Sequence, residues 1–201
     1  MPTYPELRGF MRGSNWFVDI ALGAVFTFSG ATAMAAEPAA PANSPTVSAV
    51  WQHHTVGFNY YGITALYSCD GLESNVRALL LHLGARKDAK VSARGCPNGS
   101  SAPSPNAILA TDFYTLAPTE DAREAVQARW EHVEVSPTHP YFMGRGDCEL
   151  IHEMKDLILK NFTLRDVRYR ADCTPHQVNI DDFTIKTEAL KPLDAGKKSA
   201  R

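Results

Sequence analysis

The sequence predicts an α+β protein of two pseudo-repeated β-α-β-β units, with a largely antiparallel sheet and helices on one face. Three observations predict this class. Trp51-Gln52-His53 and Trp130-Glu131-His132 open two similar stretches of chain. Each stretch continues with a helical stripe of apolar residues, and then with an alternating strand that ends at a cysteine close to a proline. The same order of signals in both stretches favours an internal duplication over chance similarity.

Each unit contains one predicted helix. Apolar residues recur at the spacing of one helical face. Asp70 and Asp147 are predicted to be the N-caps, because their carboxylates can accept hydrogen bonds from first-turn amides. The first stripe is Leu72, Val76, Leu79, Leu80 and Leu83, and its first four positions recur 78 residues later as Leu150, Met154, Leu157 and Ile158.

A predicted strand follows each helix. Apolar and polar residues alternate over residues 89–94 and again over residues 167–172, which is the period of a half-buried strand. A further strand closes each unit and contains Asp112-Phe113 in the first and Asp182-Phe183 in the second. We therefore predict that these two Asp-Phe pairs occupy matching positions.

The four cysteines are predicted to form two disulfides, one in each unit. Cys69 and Cys148 precede the helical stripes, whereas Cys96 and Cys173 follow the next strands. The repeat therefore predicts the pairs Cys69–Cys96 and Cys148–Cys173, each of which attaches a helix to its sheet. A metal site would require closely spaced pairs such as C-x-x-C, which the sequence lacks. We predict no metal and no cofactor.

The N-terminus has the three-part pattern of a secretory signal: basic residues, an apolar run and a small-residue end at Ala33-Met34-Ala35. We predict a signal peptide over residues 1–35, and an uncleaved membrane anchor is the rival interpretation. A flexible Pro/Ala-rich leader at 36–46, units at 47–118 and 119–193 and a disordered tail at 194–201 follow. The predicted location is the periplasm or the exterior, where disulfides persist, with no stable membrane insertion after cleavage.

Candidate contact residues occupy matching places in the two units. The aromatic residues Tyr60, Tyr61, Tyr141 and Phe142 precede the two helices, and loop aromatics are common in recognition surfaces. The alternative interpretation is that these four side chains fold over the ends of the helices and close the hydrophobic core. His53 and His132 follow the two tryptophans. They are candidate contact residues and would lie near the site if the protein were an enzyme with a site between the units, and the alternative is that they are ordinary strand histidines with hydrogen-bond partners. If the two alternating strands were adjacent, their outward cations would form a basic stripe from Lys90, Arg94, Arg168 and Arg170.

The run Asn59-Tyr60-Tyr61-Gly62-Ile63-Thr64-Ala65-Leu66-Tyr67-Ser68-Cys69-Asp70-Gly71-Leu72-Glu73, continued by Leu83-Gly84-Ala85-Arg86, resembles small exported proteins of Gram-negative bacteria that have no assigned function. The resemblance implies a periplasmic address and carries no active-site residues. With a net charge of −2 we predict no nucleic-acid binding. We expect a non-enzymatic module that binds an unknown protein or small ligand. The alternatives are an enzyme of unrecognised type and a periplasmic metal-handling protein.

Overall fold

The computed structural model describes residues 45–96, 101–121, 123–174 and 182–193. The predicted signal peptide, the tail and all of the leader except Pro45 and Thr46 lie outside these ranges. The described residues form the order β-α-β-β twice. The elements are β1 (Val47–Tyr61), α1 (Cys69–His82), β2 (Lys90–Arg94), β3 (Asn106–Pro118), β4 (Val126–Val135), a 3-10 turn (Arg145–Asp147), α2 (Cys148–Asn161), β5 (Leu164–Ala171) and β6 (Phe183–Pro192).

The strands form a six-stranded sheet in the order β2-β3-β1-β4-β6-β5, and every neighbouring pair is antiparallel. Each unit contributes three adjacent strands, with β1 and β4 at the centre and β2 and β5 at the two edges. The predicted α+β class, with helices packed on a largely antiparallel sheet, is confirmed.

The two units meet along a short seam. Strands β1 and β4 pair only through Val47–Ala49 and Val126–Ala128. The helices extend the contact between the units, since the Thr115 hydroxyl of β3 donates to the Asn161 carbonyl at the end of α2 at 2.7 Å. One cluster of buried apolar residues contains both helices and strands of both units. The described part of the chain from residue 45 onward therefore shares a single sheet and a common main core.

Both helices bury the predicted apolar stripes, and every residue named in those stripes is at most 4 % exposed. The N-cap prediction is wrong for α1 and is confirmed for α2 in position only. Ser68 caps α1, because its hydroxyl accepts from the Gly71 amide at 3.0 Å. Asp147 occupies the N-cap position of α2, but its carboxylate accepts instead from the Gly144 amide at 2.7 Å.

Both predicted disulfides are confirmed. Cys69 is the first residue of α1 and is bonded to Cys96, which lies just after β2, with 6.1 Å between their Cα atoms. Cys148 is the first residue of α2 and is bonded to Cys173, just after β5, with 6.0 Å between their Cα atoms. Each bridge therefore attaches the start of a helix to an edge strand of the same unit.

The predicted match between the two Asp-Phe pairs is wrong. Phe113 lies in the middle of β3, opposite His54 of β1, whereas Phe183 is the first residue of β6, opposite Ala171 of β5. Both phenylalanines are fully buried. Each motif therefore places a phenylalanine in the core, but the two phenylalanines lie at different positions along their strands.

A half-buried histidine makes stability depend on pH. The His82 ring at the end of α1 donates to the Glu134 carbonyl of β4 at 3.0 Å, and the His139 ring is 5.6 Å away. Burial lowers the pKa of His82, and the nearby Lys191 and His139 act in the same direction. Because the unfolded chain then binds more protons, the free energy of unfolding falls as the pH drops through the ordinary histidine pKa of about 6.5.

We expect the variant His82→Gln to show a shallower loss of stability between pH 7.5 and pH 5 than the wild type. Burial also lowers the pKa of His54, so some pH dependence remains. Urea unfolding at several pH values measures the effect. His152→Gln, at an exposed position of α2, is the matched control. Parallel pH profiles for wild type and His82→Gln would contradict the assignment.

Candidate functional site

The two candidate histidines are far apart. In the seam, Ser48 of β1 lies opposite Gln127 of β4. His53 lies five residues beyond Ser48, and His132 lies five residues beyond Gln127 in the opposite direction. The separation along the sheet is on the order of 30 Å at about 3.3 Å per residue. His53 contacts Asp112 at 3.1 Å on the exposed surface, and the geometry gives no shared site with His132.

The four candidate cations do not form one stripe. All four are exposed, as the alternation predicts. However, Lys90 and Arg94 lie on β2 and Arg168 and Arg170 on β5, which are the opposite edges of the sheet. A joint basic surface requires that the two strands be adjacent. They are not adjacent, so the four cations do not form such a surface.

The aromatic candidates divide into buried and exposed residues. Tyr60 is 1 % exposed and its hydroxyl donates to the Ala65 carbonyl at 2.6 Å. Phe142 is half-buried and packs against the main core. In contrast, Tyr61 is 48 % exposed and Tyr141 is 94 % exposed. Tyr60 and Phe142 support their loops from within, whereas Tyr61 and Tyr141 face solvent.

The two loops that precede the helices contact each other. The Glu149 carboxylate in the first turn of α2 accepts hydrogen bonds from the amides of Ile63 and Thr64, at 2.9 and 3.0 Å. Gly146 lies directly against Ala65, since a Cβ at Gly146 would be 3.4 Å from the Ala65 Cβ. The fold therefore joins segments that are about 80 residues apart in the sequence.

Buried polar groups hold these loops in place. Asp147 and Glu149 are 8 % and 4 % exposed, and the Tyr67 hydroxyl donates to the Asp147 carboxylate. Burial raises the pKa of Asp147, while the hydrogen bonds from Tyr67 and Gly144 act against that increase. Burial also raises the pKa of Tyr67, so its hydroxyl remains a proton donor. These buried hydrogen bonds hold the two loops in one conformation, and one Glu149 carboxylate oxygen, Oε1, has no partner within the described residues.

Exposed apolar side chains concentrate around these loops. Eight large apolar side chains are exposed among the described residues, and five of them lie here. We call these five residues the loop surface: Tyr61, Ile63, Leu66, Ile108 and Tyr141, with exposed fractions from 45 % to 94 %.

Strand register connects Ile108 with the loops. Asn59 lies opposite Ile108, and Tyr61 lies opposite Asn106, so Tyr61 and Ile108 are diagonal neighbours on one face of the sheet. Arg94 of β2 lies opposite Ile108 on the other side. The structure therefore brings two of the predicted contact residues, Tyr61 and Arg94, to the same region.

Sequence reasoning missed Ile63, Leu66 and Ile108. The alternation along β3 could have indicated Ile108. This residue lies on the same face of the strand as Asn106 and Ala110, and both of those residues are exposed. An apolar residue at a solvent-facing phase of a strand is a useful indicator of a binding surface. Ile63 and Leu66 lie in an irregular loop, where no period indicates which side chains are exposed.

Comparison with known proteins gives no family. No family model, curated protein or solved structure matches the chain. Within the described ranges, no three His, Cys, Asp or Glu side chains gather as a set of metal ligands. In the same part of the chain, neither helix has the length and apolar character required to cross a bilayer.

Proposed function

We propose that this protein is exported to the periplasm or the exterior and binds another protein through the loop surface. Two disulfides fit an oxidising compartment. The resemblance, mainly of residues 59–96, to small exported proteins of Gram-negative bacteria supports the same address. The protein acts in this proposal as a binding module, without a reaction of its own.

The clustering of exposed apolar side chains on fixed loops carries this proposal. Leaving apolar surface in water is unfavourable, and contiguous apolar surface on a soluble protein typically marks an interaction site. Tyr141 is the most exposed member, and aromatic side chains are frequent energetic centres of protein interfaces. Because Glu149 and Asp147 already fix the loops, binding requires little additional ordering.

Photocrosslinking from single positions tests the binding surface. We expect p-benzoylphenylalanine at Leu66 or Tyr141 to give a discrete covalent protein adduct in the native host. Leu159 of α2 and Val167 of β5 are matched controls, because they are 38 % and 40 % exposed outside the loop surface. Adducts of equal yield from all four positions, or none from Leu66 and Tyr141, would contradict the proposal.

The double variant Leu66→Ser/Tyr141→Ser is expected to lose the partner while keeping its stability. Both side chains are more than half exposed, so the free energy of unfolding changes by no more than about 0.5 kcal/mol. Urea unfolding measures stability, and copurification with the crosslinked partner measures binding. A large loss of stability would show that these side chains support the fold instead.

Export is tested separately. We expect N-terminal sequencing of the purified protein to begin at Ala36, and the two disulfides to be formed. Val25→Arg interrupts the apolar run and is expected to leave the protein in the cytoplasm with reduced cysteines. An intact N-terminus on protein recovered outside the cytoplasm would support the uncleaved anchor and contradict cleavage after Ala35, and wild-type protein found only in the cytoplasm would contradict export.

A further inference from the structure

A cavity of about 550 Å³ lies beside the C-terminal end of α1. Trp51, Leu81, Ala85 and Pro192 contribute its apolar wall. The loop surface lies at the other end of the same helix, which is about 20 Å long at 1.5 Å per residue. The cavity is of the size that small-molecule sites commonly have, and it is separate from the loop surface.

Two of the charged groups around the cavity already have close partners. The Arg86 guanidinium donates two hydrogen bonds to the Asp88 carboxylate, at 2.8 and 2.7 Å, and lies 3.6 Å above the Tyr114 ring. The Glu131 carboxylate accepts from the Arg129 guanidinium at 2.6 Å. These contacts compensate most of the charge of Arg86 and Glu131.

Lys191 is less well compensated. Its side chain is 20 % exposed, and its ammonium lies 4.0 Å from the second Glu131 carboxylate oxygen, beyond a normal hydrogen bond. Burial lowers the pKa of Lys191, and the Glu131 carboxylate acts in the opposite direction. Lys87 adds a further positive charge at the rim. An anion in the cavity would therefore stabilise the lysine ammonium.

A glycine fixes the position of the Lys191 side chain. Gly84 adopts a φ of +106°, which L-residues rarely adopt. A Cβ at Gly84 would lie 3.1 Å from the Lys191 Cγ and 3.3 Å from the Leu190 carbonyl oxygen. The close approach of this loop to β6 holds the lysine stem against the backbone and leaves its ammonium at the cavity.

The second unit repeats part of this site, which we call the frame: an arginine over a tryptophan that pairs with a leucine of the neighbouring strand. The Arg86 guanidinium lies 5.8 Å from the Trp51 ring, and the Arg165 guanidinium lies 4.4 Å from the Trp130 ring. Trp51 pairs with Leu116 of β3, and Trp130 pairs with Leu190 of β6. The two arginine–tryptophan pairs therefore occupy equivalent places in the two units.

The charged groups of the cavity are not repeated. Lys191 follows Leu190, and the residue that follows Leu116 is Ala117. One position after Trp130 is Glu131, and one position after Trp51 is Gln52. The frame is a property of the fold, whereas the lysine and the carboxylate belong to one copy alone. Charge at this cavity is thus not required to form the architecture.

We infer that the cavity binds a small organic anion with an apolar body, whose charged group contacts the Lys191 ammonium. The apolar wall contacts the body of the ligand, and Lys87 adds long-range attraction. This site does not depend on the proposed protein partner.

Two dyes with the same ring system test the inference. 8-Anilinonaphthalene-1-sulfonate carries a sulfonate, and N-phenyl-1-naphthylamine lacks it. We expect the oxidised full chain to bind the sulfonate at one site, and the neutral dye about tenfold more weakly. Lys191→Met keeps the apolar stem and is expected to reduce affinity for the sulfonate by about tenfold, with little change for the neutral dye. Fluorescence titration measures all four affinities.

The matched control is Lys186→Met, which removes a lysine of the same strand that pairs with Glu134 at 3.4 Å, outside the cavity. We expect it to change the affinity by less than about twofold, because exposed ion pairs contribute little. Equal effects of the two lysine variants, or equal affinity for the two dyes, would overturn the inference. Loss of sulfonate binding in Leu66→Ser/Tyr141→Ser, with Lys191→Met unaffected, would also overturn it while leaving the proposed protein partner intact.

Discussion

The double variant Cys148→Ala/Cys173→Ala is expected to lose about 3–4 kcal/mol of its free energy of unfolding. The bridge joins residues 25 apart in the sequence, and a loop of that length restricts the unfolded chain by this amount. Both cysteines are at most 8 % exposed, so the change also removes packed sulfur from the core. Urea unfolding at pH 7 measures the loss.

The equivalent variant of Cys69 and Cys96 is the comparison, because the two residues are 27 apart and close a loop of similar length. We expect a loss of similar size, and a larger loss when wild-type protein is reduced. A change of less than about 1 kcal/mol in both double variants would show that restriction of the unfolded chain contributes little here.

Glu149→Ala is expected to reduce the free energy of unfolding by about 2–4 kcal/mol. The change leaves the amides of Ile63 and Thr64 without their acceptor at a part-buried site, and each unmet donor that is shielded from water costs about 1–3 kcal/mol. The same change releases the loop that presents Ile63 and Leu66. Binding to the crosslinked partner is therefore expected to weaken even at temperatures where the protein remains folded.

Glu149→Gln separates the acceptor from the charge. The Oε1 atom of Glu149 is buried and has no hydrogen-bond partner within the described residues, so the glutamine amide keeps one acceptor for the loop. We expect the free energy of unfolding of Glu149→Gln to lie between that of wild type and that of Glu149→Ala. Asp156→Ala, at an exposed position of the same helix, is the control and should change stability by no more than about 0.5 kcal/mol. Equal stabilities of Glu149→Ala and Asp156→Ala would contradict the proposed support of the loop.

The local features of the fold follow from the sequence. The apolar stripes of α1 and α2 have the period of a helix, and the alternation before Cys96 and Cys173 has the period of a strand. The disulfide pairing follows from the position of each cysteine within a repeated order. These signals all lie within about thirty residues of chain, where spacing alone is informative.

Features that depend on the arrangement of the strands were not predictable. The seam between β1 and β4 sends the edge strands to opposite sides, which separates Arg94 from Arg168. The cavity takes Trp51, Glu131 and Lys191 from three different strands. No spacing in the sequence encodes such a meeting, because it depends on the strand order and on the path of the loop after α1.

The two units pair through the short seam in the way that two subunits of a symmetric dimer pair through equivalent edge strands. Two identical chains that paired through such a strand would carry every substitution twice, once in each subunit. Here both units belong to one polypeptide, so each position changes independently of the corresponding position in the other unit. This independence allows Lys191 to stand beside a cavity while Ala117 occupies the corresponding place in the other half. A symmetric architecture thus accommodates a single asymmetric ligand site.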